Sequence, residues 1–206
     1  MKKYIIFDLD GTLIESMSDT LKLIYNELSK IKWTDMELVK YVFTQTMWKP
    51  LKKQLELIYK DKTKSEIDEI TNIIYKKLSQ KEANFFDGAI NTIKNLHKKW
   101  YKLYLSTWNS TDFAIKTLKR WWIINYFDIV LWSDKILKWP DHLEIFKQNS
   151  WDENFYKNAI YVWDGNSDRE FAKLKNITFV HIWNDKKDIY EINSIKYLEK
   201  LINKID

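Results

Sequence analysis

The chain alternates between two hydrophobic rhythms. Short unbroken apolar runs recur at Tyr4–Phe7, Tyr101–Ser106, Phe127–Leu131, Ala159–Trp163 and Ile177–Ile182. Between them, apolar residues return every three or four positions. A continuous run bounded by turn residues is the pattern of a strand buried on both faces, and the three-to-four spacing is that of an amphipathic helix. The second rhythm predicts helices from an Asp87–Gly88 cap to about Lys99, and over Thr111–Trp122, Asp141–Asn149, Asn166–Lys175 and Lys187–Ile205. Strands alternating with helices in this way predict an α/β fold, a parallel sheet within three layers.

Residues 16–82 break the alternation, with four helical stripes and no strand pattern. Ser16 or Ser18 can cap a helix carrying Leu21, Ile24, Tyr25 and Leu28 on one face. Thr34 and Asp35 start a second, with Leu38, Val39 and Val42. Pro50 suits the first turn of a third, with Leu51, Leu55 and Ile58. Thr63–Glu66 reads as a capping box before the stripe Ile67, Ile70, Ile73, Ile74 and Leu78. The expected organisation is an α/β core built from residues 1–15 and 83–206, with a helical domain, 16–82, inserted between its first two strands.

The 206 residues, 45% apolar, suffice for one sizeable core with a small insert. There is no cysteine, which excludes a disulfide framework and thiol chemistry. The opening apolar run is cut at once by Asp8, so it reads as neither a signal peptide nor a membrane span. These points predict a cytoplasmic protein that engages no membrane. The net charge of +5 comes almost wholly from scattered lysines, often beside Glu or Asp. That favours an anionic small substrate over a nucleic-acid surface. The chain is expected to be a monomer or homodimer.

The residues with chemical potential fall at the carboxyl ends of the predicted strands, where open α/β sheets bind ligands. The first strand runs into Asp8, with Asp10, Gly11 and Thr12 following. The second ends in Ser106 and Thr107, followed by Trp108 and Asn109. The fourth ends at Asp164, with Asp168 in the first turn of the next helix, and Lys138 follows the third. Two carboxylates two residues apart beside a buried strand repel and resist desolvation, and a divalent cation offsets both effects.

The ordered set resembles the haloacid dehalogenase-like (HAD) hydrolases. YIIFDLDGT, residues 4–12, matches their first motif and LYLST, 103–107, their second. Lys138 matches the third, with its proline wording kept only in Pro140, and YVWDGNSD, 161–168, matches the fourth. The insert looks like the C1-type cap of phosphoglycolate phosphatase-like members, expected to close over the substrate and exclude water. The resemblance implies a Rossmann-like core with a four-helix cap, and a Mg²⁺-dependent phosphatase acting on a small phosphorylated metabolite. Asp8 would be the nucleophile and Asp10 the acid and then the base. Asp8, the Asp10 carbonyl and Asp164 would hold Mg²⁺, with Asp168 orienting a metal-bound water or Lys138. Thr107, with nearby Trp108 and Asn109, would border the phosphoryl group, and Lys138 would offset its charge.

Alternatives stand at several positions. Ser106 competes with Thr107, and Lys135 with Lys138. Asp168 also reads as a helix-start acid, and Trp48–Lys49–Pro50 as either a substrate-facing turn or a plain helix start. His97, His142 and His181 match no motif, although His142 falls near the site. An acid at position 10 separates a phosphatase or phosphomutase from a dehalogenase, because halide leaves without a proton. A sugar-phosphate phosphomutase is therefore the neighbouring reading, and a catalytically silent binding protein the more distant one.

One ratio stands apart. The chain has 3 glycines and 11 tryptophans, where a usual ~7% glycine would give about 14. Trp100, Trp108, Trp122, Trp132, Trp139, Trp163 and Trp183 fall where turn chemistry, or the resemblance, would place glycine. UGA means tryptophan in some genetic codes and glycine in others, and that difference would leave this pattern. The expectation is that most of the 11 tryptophans are glycine in the living source.

Overall fold

The structure is a computed structural model that describes residues 2–205 except 47–48, 110, 134–135, 137 and 183–188, together with the side chains of 166–168. The chain divides into two compact units. One is Met17–Glu82, and the other joins the segment through Ser16 to the segment from Ala83.

In the larger unit, β1 (Tyr4–Phe7) leads to β2 (Ile14–Glu15). In the smaller unit four helices follow: α1 (Met17–Leu28), α2 (Met36–Gln45), α3 (Leu51–Ile58) and α4 (Lys64–Gln80). The larger unit resumes with β3 (Asn84–Phe85), α5 (Ala89–Lys98), β4 (Lys102–Thr107), α6 (Thr111–Arg120) and β5 (Ile129–Trp132). It continues with a wide turn at Lys138–His142, then α7 (Leu143–Ser150), α8 (Phe155–Asn158), β6 (Ala159–Trp163) and α9 (Asn166–Leu174). The last elements are β7 (Thr178–Ile182), β8 (Glu191–Ile192), a 3₁₀ turn at Ile195–Tyr197 and α10 (Leu198–Ile205).

Six strands pair in parallel in the order β5-β4-β1-β6-β7-β8. The first strand of the chain thus sits inside the sheet, with Tyr4–Phe7 opposite Lys102–Leu105 on one side and Ala159–Val162 on the other. Alternation along β1 explains the three layers. Ile5 and Phe7 enter one apolar cluster with Ile93, Leu118 and Leu198 of the helices, while Tyr4 and Ile6 enter another with Leu143, Phe146 and Phe155. Both faces are covered, which is why the strands read as unbroken apolar runs.

The smaller unit has its own core, built around Leu28, Val39, Leu55, Ile67 and Ile74. The Asp35 side chain accepts from the Glu37 and Leu38 amides at the start of α2, and Thr63 with Glu66 forms the capping box of α4. Two stripe residues are exceptions, because Leu38 and Ile73 lie at the flank of their apolar stripes and are exposed.

The C-terminal helix expected over Lys187–Ile205 is corrected. Its first two residues lie outside the described set, and helix begins only at Leu198. Glu191 and Ile192 instead extend the sheet edge opposite His181 and Ile182, a long-range pairing that overrides helical periodicity. The antiparallel β2–β3 pair is too short to leave a pattern. Trp132, expected in a loop, belongs to β5. Among the described residues, no helix is long and apolar enough to cross a membrane.

Candidate active site

Everything chemical converges at the carboxyl ends of β1, β4 and β6, the middle strands of the sheet. Asp8 continues β1, and its amide donates to the Val162 carbonyl at 3.1 Å. Its side chain is therefore aimed by the ladder itself, and the residue is only 3% exposed. Lys138 is wholly buried, and its Nζ donates to Asp8 Oδ1 at 2.5 Å. Burial pushes the Asp8 carboxyl up to about 7; Lys138 pulls it down, while Asp164 and Asp10 push it further up. One ammonium thus faces a surplus of carboxylates.

Asp10 stands in the turn that leaves β1. Its carboxylate accepts from Ser16 Oγ at 2.5 Å, Thr107 Oγ1 at 3.3 Å and Asn109 Nδ2 at 3.2 Å. Gly11 follows at φ +76°, where a Cβ would lie 2.1 Å from Asp164 Oδ2. Only glycine fits there, for backbone and space alike. Asp164 ends β6, receives Thr12 Oγ1 at 3.5 Å, and has its carboxyl pushed up to about 6, chiefly by burial.

At the end of β4 the strand's period of two sends the two hydroxyls to opposite faces. Thr107 faces Asp10, and its hydroxyl also accepts from the Asn109 amide at 3.0 Å. Ser106 points to the other face, where its hydroxyl meets His142 Nδ1 at 2.9 Å. Lys135, Trp48, Trp183 and the Asp168 side chain lie outside the described residues, Pro50 directly precedes α3, and the site here rests on Lys138.

His142 is the residue that sequence patterns undervalue. It is fully buried, and burial lowers its pKa to about 4, so the ring is neutral near pH 7. Its Nε2 lies 3.3 Å from the Trp132 carbonyl, which can only accept, so Nδ1 accepts from Ser106. The ring ties the Lys138–His142 turn to β4 and β5. The one sequence signal was a histidine four residues after Lys138.

Aromatic rings surround the same lysine. The Trp163 ring centroid is 3.3 Å from Lys138 Nζ, with the Trp108 and Trp139 rings at 6.0 Å. Trp163 is buried and Trp108 partly exposed.

The donor set fits a hard divalent cation. Among the described residues no three Asp, Glu, His or Cys side chains form a cage by themselves. Asp8, Asp164 and the Asp10 carbonyl nonetheless supply oxygen donors, and magnesium binds through one or two carboxylates while keeping waters. The raised Asp8 and Asp164 carboxyls, and the side-chain-free space that Gly11 leaves beside Asp164, are what such an ion would use.

A six-strand parallel sheet covered by helices, with carboxylates at the ends of its middle strands, defines a Rossmann-like α/β fold with an acidic site. The chain belongs to the family described as haloacid dehalogenase-like hydrolases, whose sequence profile matches residues 5–182. Solved structures agree in fold. A haloacid dehalogenase-like family hydrolase from Streptococcus pneumoniae is 23% identical, with a TM-score of 0.75 over 98% of both chains. A protein from Haemophilus somnus described as a predicted phosphoglycolate phosphatase is 18% identical, with a TM-score of 0.77 over 98% of both chains. A Bacillus subtilis protein solved bound to magnesium, YfnB, is 16% identical, with a TM-score of 0.72 over 98% of this chain and 99% of that one. No curated protein matches the chain by sequence.

Proposed function

We propose that this hydrolase is a phosphatase that cleaves a small phosphate monoester through a phosphorylated Asp8. The observation that carries the reading is Asp8 itself, buried at the end of β1, paired with buried Lys138, and two residues from an Asp10 held by three side chains. A dehalogenase has no use for that second acid.

The Asp8 carboxylate attacks phosphorus, and the bond to the leaving oxygen breaks. Asp10 donates the proton that the leaving oxygen takes up. Asp10 then accepts a proton from water as that water attacks the phosphorylated Asp8, which releases phosphate and restores both side chains. Lys138 neutralises charge on Asp8 and on the transferring oxygens, and Thr107 donates to one of them when it leaves Asp10. Mg²⁺, held by Asp8, Asp164 and the Asp10 carbonyl with Asp168 nearby in sequence, would supply electrostatic neutralisation of the phosphoryl oxygens. The four helices of Met17–Glu82 are read as the cap that chooses the substrate.

The test is phosphate release from a panel of small phosphate esters with Mg²⁺, for the parent chain and Asp8→Asn. Turnover that falls to background in the variant is expected. Turnover that persists would sink the nucleophile assignment, and phosphoryl return to the substrate without release would identify a phosphomutase. The Trp163 ring over Lys138 favours one other reading, a catalytically silent chain.

A further inference from the structure

Among the described residues, five that are not glycine have positive φ: Trp33 at 67°, Trp100 at 66°, Trp122 at 56°, Trp151 at 52° and Asn176 at 56°. Four of the five are tryptophan. Asparagine is at home in the left-handed region, whereas a bulky aromatic there is an outlier.

The local hydrogen bonds show what these positions require. At the end of α9, the Asn176 amide donates to the Lys173 carbonyl and the Ile177 amide to Ala172, at 3.0 and 2.9 Å. At the end of α5, Trp100 and Tyr101 make the same two bonds, to His97 and Leu96, at 3.0 and 3.2 Å. At the end of α6, Trp122 and Ile123 make them again, to Lys119 and Leu118, at 3.0 and 3.1 Å. This is the Schellman helix stop, whose left-handed residue is usually glycine and sometimes asparagine. Trp151 is the left-handed cap of α7, and Trp33 is a central residue of the turn closed by the Thr34 amide on the Ile31 carbonyl.

Burial repays none of this, although Lys32 Nζ lies 5.2 Å over the Trp33 ring. Trp33, Trp100, Trp122 and Trp151 are 90%, 92%, 86% and 94% exposed. They stand in the connections after four different helices. Trp121 is the contrast. Its indole donates to the Ala83 carbonyl at 3.4 Å, and its ring meets Phe85 edge-on.

We propose that the codons behind Trp33, Trp100, Trp122 and Trp151 are UGA, read as glycine where the protein is made, and that glycine also occupies positions 108 and 163. The exposed four carry the proposal through backbone geometry alone. The last two rest on the phosphatase reading, in which a phosphoryl group must reach Lys138 Nζ, which the Trp163 ring covers at 3.3 Å and the Trp108 ring flanks at 6.0 Å.

Peptide masses of the protein from its own source test this first. Glycine at 33, 100, 122 and 151 with tryptophan at 121 is expected, and tryptophan at those four, or UGG codons there, overturns it. In recombinant protein, the combined Trp33→Gly, Trp100→Gly, Trp122→Gly and Trp151→Gly change should raise Tm by roughly 5–10 °C. An unchanged or lower Tm overturns the backbone argument. Adding Trp108→Gly and Trp163→Gly should raise phosphate release at least tenfold. No gain, with masses that show glycine at 108 and 163, would count against the phosphatase reading, and tryptophan masses there would overturn that part of the proposal; the other four masses and Tm do not depend on it.

Discussion

The two units differ in where they keep charge: among the described residues, only the α/β unit buries both partners of an ion pair. In Met17–Glu82, Lys22 meets Asp19 at 3.4 Å, Lys40 meets Glu37 at 2.7 Å and Lys53 meets Glu56 at 2.8 Å, all three residues apart on helix surfaces. Such exposed pairs contribute little, because water and salt screen them. In the α/β unit, Lys138 and Asp8 are both out of water, and two further carboxyls crowd them. A buried pair with surplus negative charge is an arrangement that folding alone would not favour. The difference teaches where to look for chemistry: charge kept in water decorates a helix, while charge taken from water and left unbalanced waits for a ligand.

The largest expected effect comes from removing the buried cation. Lys138→Met should cut phosphate release by about 10²-fold or more. It should also move Asp8 further above about 7, since Lys138 is what holds it down. A pH titration that leaves Asp8 where it was would show that the pair is not coupled, and the contrast between the units would collapse.

Asp164→Asn sharpens the same contrast through pH. The Asp164 carboxyl rises from 3.8 to about 6 on folding, so the folded chain holds that proton more tightly than the unfolded chain. Its stabilising contribution is complete below the unfolded value and is lost as pH rises through about 6. Metal-free Asn variant should therefore melt a few degrees above the parent at pH 8 and close to it at pH 4. Mg²⁺ should raise Tm in the parent and not in the variant. Equal melting at pH 8 would mean that Asp164 carries no unbalanced charge.

The smallest effect is expected in the helical unit. Lys40→Gln, which breaks the Glu37 pair, should shift Tm by no more than about 2 °C and leave turnover unchanged. A loss comparable to that of Lys138→Met would show that surface pairing matters here as much as buried pairing.

The sequence by itself determined the alternation of buried strands and helices, the caps at Asp35 and Thr63, and the strand-end placement of Asp8, Thr107 and Asp164. These follow from local rules: unbroken apolar runs for strands covered on both faces, and short polar side chains that satisfy free amides at helix starts. It also placed tryptophan where helices stop, because turn chemistry is local as well. Only the tertiary structure decided that Thr107 and not Ser106 faces Asp10, since one residue of register turns a side chain to the other face of a sheet. Only it gave His142 its place between Ser106 and the Trp132 carbonyl, and drew Glu191–Ile192 into the sheet edge. Those outcomes depend on partners far away along the chain, and the energy of a long-range pairing is not written in the residues of either partner alone.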